Sequence, residues 1–320
     1  MNRFCLLVLG CLLVSACRGG GGGQARPGEP EEAGFPMVAV PGLIAEPQDR
    51  VDFLAEHFWD GFAALEGATD SLTVKGLPQK TVEEKFVFWA TLLKAASAPV
   101  MEKSVAVAVA AAREEAAKTR DYALLDKLME LSAKYLYDPN APSRNEEAYL
   151  AFLNTLLSGP LPYEAMRATL ERQAQLCALN RPGEPASDFK FITPEGKIMS
   201  LYSVQAPVLL LIFSNPGCQL CAAYQENLKK NQPLTDMLRK GSFKVVNIYP
   251  DDDILAWETY VRNYPPEWLC GRDHLGALFS GTLYSLRAIP SLYLLDADKK
   301  VVLKDATYEE VEMKLYDLLF

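Results

Sequence analysis

Val208-Leu209-Leu210-Leu211-Ile212-Phe213-Ser214-Asn215-Pro216-Gly217-Cys218-Gln219-Leu220-Cys221 is the stretch on which the reading of the chain turns. A continuous apolar run of this length suits a strand buried on both faces of a sheet. It leaves through a Ser-Asn-Pro-Gly turn, and the pattern predicts a helix opening at the first cysteine. Cys218 then sits at a helix N-terminus, where unpaired amides and the positive dipole end favour a thiolate and lower its pKa from about 8.5 toward roughly 3.5–7.5. Cys221 lies one turn further in, shielded and placed to attack a mixed disulfide formed on Cys218.

The flanking sequence supports a mixed α/β domain. Phe189 to Ile192, a Pro194-Glu195-Gly196-Lys197 turn and Ile198 to Leu201 read as a hairpin before the apolar strand. After it the spacing predicts a helix over about 221–239, a strand over Phe243 to Ile248 and a helix over about 252–263. A loop containing Cys270 comes next, then strands over Ser291 to Leu295 and Val301 to Lys304 and a final helix from Thr307, where Thr307 and Glu310 form a capping box. Upstream, Val51 to Leu179 is helical throughout. Val51, Leu54, Phe58, Phe62 and Leu65 recur at three- and four-residue spacing, as do Val82, Phe86, Trp89 and Leu93. Pro99 opens a long Ala-rich helix, and about six helices are expected. Ser143 and Glu146 read as a second capping box after the Asp138-Pro139-Asn140-Ala141-Pro142 turn, while Arg144 and Asn145 are open to either a structural or a surface role.

The N-terminus reads as an export signal. Arg3 precedes an apolar run from Phe4 to Val14 that is too short to span a bilayer. Val14-Ser15-Ala16-Cys17 resembles the lipobox of bacterial lipoproteins, which implies cleavage before Cys17 and acylation of its sulfur; a secretory signal cut after Ala16 is the other reading. Residues 18–48, rich in Gly, Pro and Glu, read as a tether of roughly 31 residues with a reach on the order of 30 Å. The resulting division is signal 1–16, lipid anchor and disordered tether 17–48, helical domain 49–181 and α/β domain 182–320, with the change of periodicity at Asn180-Arg181-Pro182-Gly183. A net charge of −9, without basic clusters interleaved with aromatics, excludes a nucleic-acid surface.

Of seven cysteines, Cys5 and Cys11 belong to the signal and Cys17 to the anchor, leaving Cys177, Cys218, Cys221 and Cys270. A Cys-x-x-Cys can be half of a zinc site, but the only two histidines, His57 and His274, fall in different predicted domains without ligand spacing. No metal and no cofactor is expected. Cys177 and Cys270 are expected as buried thiols, with a bridge between them left open.

The hairpin, apolar strand, Cys-x-x-Cys helix and Leu286-Arg287-Ala288-Ile289-Pro290-Ser291-Leu292 together resemble the thioredoxin family, in particular its membrane-tethered TlpA/ResA branch, over roughly residues 182–320. The expected fold class is the all-α domain of the helical spacing followed by a thioredoxin-like α/β domain, for which the resemblance implies a central mixed sheet flanked by helices. The resemblance also implies a cis Ile289-Pro290 bond beside Cys218, with the Ile289 backbone and Pro290 forming a substrate-facing loop; a trans proline starting an edge strand is the bland alternative. There are departures. Gly217 stands where Trp is common, Leu220 where Pro is common, and Ile212 and Tyr224 occupy positions that hold acids in relatives. The Lys134 to Glu146 stretch resembles a domain of unknown function found upstream of thioredoxin domains on Gram-negative lipoproteins.

The expected function is that of a periplasm-facing, envelope-anchored thiol-disulfide oxidoreductase. Its partners would be exported proteins with thiols or disulfides, and a membrane redox partner is open. Inner and outer membrane are not distinguished. The rival is a non-catalytic binding lipoprotein that uses the fold as a scaffold and grips a partner with the helical domain. A peroxidase is disfavoured, because no Pro-x-x-x-Thr-x-x-Cys sequence is present.

Overall fold

The computed structural model describes residues 34–278 and 280–320. The signal, Cys17 and most of the tether fall outside these residues. Compact packing divides the chain into two units at Glu171 and Arg172.

The first unit is built from α1 (Pro47–Glu56), α2 (Asp60–Ala63), α3 (Gln79–Ala95), α4 (Ala98–Thr119), α5 (Ala123–Ser132), α6 (Glu146–Leu157) and the start of α7 (Arg167–Cys177). A hairpin of β1 (Thr73–Val74) and β2 (Leu77–Pro78) adds a small element that helical periodicity does not announce. Pro99 lies in the first turn of α4, where its missing N–H costs nothing. The core is aromatic: Phe58, Trp59, Phe86 and Trp89 are buried, and the Trp89 indole donates to Ser104 Oγ at 2.9 Å, fixing α3 to α4. Packing begins earlier than composition suggests, since Phe35 is buried against Phe58, Trp59 and Phe62. One aromatic anchor is enough to order Gly- and Pro-rich chain next to a core.

α5 ends in a π-helical turn, Ala133–Tyr137. The expected capping box at Ser143 is not formed. Asn145 caps α6, accepting from Ala148 N at 3.1 Å, while Ser143 Oγ donates to the Tyr135 carbonyl at 2.9 Å. In the π-helical register that carbonyl's partner would be the Asn140 N–H, which donates to Asp138 Oδ1 at 2.8 Å instead, and the serine hydroxyl substitutes for it.

The second unit carries a seven-stranded sheet in the order β4-β3-β7-β6-β5-β8-β9. Its strands are β3 (Lys190–Ile192), β4 (Ile198–Ser200), β5 (Val208–Phe213), β6 (Lys244–Tyr249), β7 (Leu269–Asp273), β8 (Ser291–Asp296) and β9 (Val301–Leu303). β5, β6 and β7 run parallel, whereas β8 is antiparallel to β5 and β3 to β7. Every residue of β5 is buried, as a run without alternation requires of a strand covered on both faces. Val208, Leu210 and Ile212 face one apolar cluster and Leu209, Leu211 and Phe213 the other. The helices are α8 (Gln219–Lys230), α9 (Gln232–Arg239), α10 (Ile254–Tyr260) and α11 (Tyr308–Leu319).

Two further expectations differ in the second unit. The helix predicted over 221–239 is two, because Pro233 cannot donate to the residue 229 carbonyl and Asn231 restarts the chain by capping Leu234 N at 3.2 Å. Cys270 lies in strand β7, not in a loop. Gly271 and the preceding Pro265-Pro266 disguise that strand, yet Gly271 is there for space: a Cβ on it would meet Phe191 Cδ2 at 2.4 Å. The Thr307 and Glu310 capping box is present in full at α11. Among the described residues no helix is long and apolar enough to cross a membrane.

Candidate functional site

β5 delivers the chain to the edge of the sheet where β6 also ends. Ser214 N donates to the Ile248 carbonyl at 3.0 Å, extending the pairing one residue beyond the strand. Gly217, at φ +76°, then turns the backbone through a region L side chains rarely adopt. Cys218 follows as the N-cap of α8, and its Sγ accepts from Cys221 N at 3.1 Å. The two cysteines form a disulfide with Cα atoms 5.3 Å apart. Cys218 is half-buried, Cys221 is 7% exposed and Leu220 between them is 67% exposed, so solvent reaches the first sulfur rather than the second.

The Ile289-Pro290 bond is cis, and the Ile289 carbonyl lies 3.7 Å from Cys218 Sγ. The cysteine pair and the proline loop named from the sequence are therefore brought together. A clamp that the sequence did not announce fixes that loop. Asp305, itself at φ +45°, accepts from Ser291 Oγ at 2.8 Å and pairs with Arg287 at 3.4 Å, so it holds the residues on either side of the Ile289-Pro290 pair. Arg287 and Asp305 are 11% and 12% exposed in their side chains. Nothing in the spacing of Asp305 marks it, because the pairing is made across the sheet rather than along the chain.

On the face of the sheet covered by α8, Ile212 and Tyr224 join one apolar cluster. Burial holds the Tyr224 hydroxyl well above the ordinary phenol range, and it has no hydrogen-bond partner. It is a neutral group at any physiological pH. Polar groups occur one step along the strand instead: buried Ser214 donates to Asn247 Oδ1 at 2.8 Å and meets Tyr264 OH at 2.9 Å. Ser214 precedes the Cys-x-x-Cys by a turn and reads as loop filler in the sequence. Only the paired strands reveal its partners.

Cys177 and Cys270 are both buried and outside any disulfide. Burial pushes the Cys270 thiol up to about 12. His57 contacts Asp60 at 2.8 Å on α2, and His274 belongs to the second unit. No group of three or more metal-ligating side chains occurs among the described residues.

Comparison with solved structures gives a match over most of the length. A thioredoxin-like protein from Bacteroides caccae is 30% identical, with a TM-score of 0.76, and the alignment covers 88% of this chain and 98% of that one. The chain belongs to the thioredoxin-like family. Its second unit has a thioredoxin-like fold. The C-terminal domain of an uncharacterized protein from Bacteroides fragilis is 39% identical, covering 43% of this chain and 98% of that one at a TM-score of 0.42. A domain of a possible thiol-disulfide isomerase from Cytophaga hutchinsonii is 25% identical, covering 44% and 94% at a TM-score of 0.35. A family model described as a domain of unknown function, DUF5106, matches residues 20–176 and thus accompanies the thioredoxin-like unit on its N-terminal side. No curated protein matches.

Proposed function

We propose that this chain is an envelope-anchored thiol-disulfide oxidoreductase that exchanges disulfides with exported client proteins through Cys218 and Cys221. The observation that carries the proposal is the asymmetry of the pair. A half-exposed sulfur at the start of α8 stands 3.7 Å from the carbonyl of the Ile289-Pro290 loop, while its partner is buried one turn inside.

In the oxidised form a client thiolate attacks Cys218 Sγ, forms the mixed disulfide and displaces the Cys221 thiolate. A second client thiolate then attacks the client sulfur of that bond, forming the client disulfide and releasing the Cys218 thiolate. Two electrons pass from client to protein, and the client's two thiol protons end on the two cysteines or in solvent. The reverse begins with the Cys218 thiolate, stabilised by the α8 amides, and ends with Cys221 resolving the complex. Backbone groups at Ile289, on the loop that Asp305 holds, pair with the client chain beside the reacting sulfur. The envelope location rests on the signal-like N-terminus and the Val14-Ser15-Ala16-Cys17 stretch.

The test is trapping in whole cells. Cys221→Ser should accumulate mixed disulfides with clients because attack proceeds and release is blocked, whereas Cys218→Ser should accumulate almost none. The midpoint potential should fall in the range of exchange proteins, roughly −270 to −120 mV. Equal alkylation of both cysteines with no trapped partner would leave the fold as a scaffold, a reading that the apolar Ile212 and Tyr224 favour. Fractionation of the same cells reports the anchor: Cys17→Ser should move the protein out of the membrane fraction.

A further inference from the structure

Three parallel strands end along one edge of the sheet, and only one of the ends is used by the disulfide. β5 leads to Cys218, β6 leads to Pro250 and the Asp251-Asp252-Asp253 run, and β7 leads to Asp273 and Leu275. The last two ends enclose a groove of about 220 Å³, lined by Pro250, Asp251, Asp252, Ile254, Arg272 and Leu275 among others. The groove joins the disulfide loop directly, since Asn215 Nδ2 donates to Asp251 Oδ2 at 2.6 Å and the Asn215 carbonyl accepts from Cys218 N at 3.3 Å.

The character of the groove is unusual in two respects. Leu275 is 90% exposed and held at φ +66°, followed by Gly276 at φ +71°. A bulky residue rarely adopts this region, and here the turn places an aliphatic side chain in water. Ile254, at 44% exposed, stands on the opposite end of the groove's sequence. Its charges are unbalanced as well, because the exposed carboxylates of Asp251 and Asp252 accompany a single guanidinium, Arg272. An apolar rim with net negative charge fits an apolar side chain next to a cation.

We infer that the ends of β6 and β7 form a client-docking groove selecting polypeptides that carry a basic residue and an aliphatic residue close to the cysteine engaged by Cys218. The inference rests on the exchange reading and deepens it. Strands lie about 4.8 Å apart, so the groove begins one to two strand widths from the disulfide, and an extended client at about 3.3 Å per residue reaches it about two to three residues from its cysteine. Cationic clients are also drawn to it over about a Debye length, near 10 Å at 0.1 M salt.

Paired peptide disulfides of equal length test this, one set with Lys-Leu and one with Glu-Leu placed two to three residues before or after the cysteine, each reduced by the full-length protein in its dithiol form. The expected result is a kcat/KM three- to tenfold higher for the basic set, with the ratio shrinking toward unity in 0.5 M salt. In Asp252→Asn the ratio should fall, any general loss of activity cancelling from it, and in Leu275→Ser the advantage of a Lys-Leu peptide over a Lys-Ser peptide should fall. Equal rates for the two sets in the wild-type protein, a ratio unchanged in Asp252→Asn, or a leucine advantage unchanged in Leu275→Ser, would overturn the groove. Exchange with a small disulfide such as oxidised glutathione separates the failures: if that exchange is also absent, it is the oxidoreductase reading that has failed.

Discussion

Two Ser/Thr-x-x-Glu stretches look alike as sequence, and only Thr307 is a cap. The difference lies in what else the hydroxyl can reach. Thr307 follows Ala306 directly into α11 and finds Glu310 N at 3.2 Å, whereas Ser143 sits in the loop after the π-helical turn, within 2.9 Å of a carbonyl whose helical partner, the Asn140 N–H, is turned to Asp138. Ser143 is accordingly buried, and Asn145 two residues later takes the cap. Asn145→Ala should destabilise the first unit by about 0.5–2 kcal/mol, the usual cost of a lost N-cap. Ser143→Ala should cost about 1 kcal/mol, for one hydrogen bond and a stranded carbonyl. Disulfide exchange per folded molecule should stay at the wild-type rate in both, as chemical denaturation and an exchange assay on the same preparations would show. A large loss of exchange at unchanged stability would give this loop a role beyond structure. The residues of the candidate site divide in the same way. Cys218, Cys221, Ile289 and Pro290 could be named because each belongs to a contiguous motif, while Ser214 and Asp305 act on residues 33 and 14 positions away and could not.

Elements were readable wherever one physical signal dominated. β5 has no polar residue, β8 has an interior of Leu and Tyr between its end residues Ser291 and Asp296, and α11 opens with a full capping box, so their bounds come within a residue or two of the pattern. β7 failed because its signal is mixed: Leu269 and Cys270 are apolar, but Gly271 reads as a breaker when taken alone. Packing supplies the missing reason, which is the approach of Phe191 from β3 across the paired strands. Gly271→Ala should therefore act through crowding. Phe191 is fully buried and cannot swing away, so the substitution should cost about 1–3 kcal/mol, measured by the urea midpoint of the full chain. Phe191→Leu in the same chain should recover part of the loss, because it removes the ring edge that the new methyl meets. A Gly271→Ala protein as stable as wild type would mean that β3 and β7 slide apart at no cost. The helical unit presents the converse case. Its periodicity was plain and its function was not, since apolar spacing reports where a core lies and is silent about surfaces.

At the scale of the whole molecule the net charge of −9 conceals a weakness on the alkaline side, located in the second unit. Cys270 is held by burial at about 12 and Tyr308 by burial at about 12, and burial raises Tyr224, Tyr264 and Tyr284 as well. Each group is neutral when protonated, so a folded-state pKa above the unfolded value means that the fold retains a proton which the unfolded chain releases. The stability associated with that retention is complete below the unfolded pKa, near 9 for a thiol and 10 for a phenol, and is lost as pH rises through the folded value. For Cys270 the window runs from about pH 9 to about pH 12. Each pH unit inside it removes on the order of 1.4 kcal/mol, hence on the order of 3 kcal/mol by pH 11. Cys270→Ala should lose its packing contribution at every pH yet be spared this thiol-linked decline. Scanning calorimetry of the full chain at pH 8 and pH 11, without reductant so that the Cys218 and Cys221 disulfide stays closed, should show the transition of the second unit falling further in wild type than in the variant. An equal fall in both would mean that Cys270 ionises inside the fold. Exchange activity should survive the substitution, because the Cys270 sulfur is buried on β7 and takes no part in the attack on Cys218.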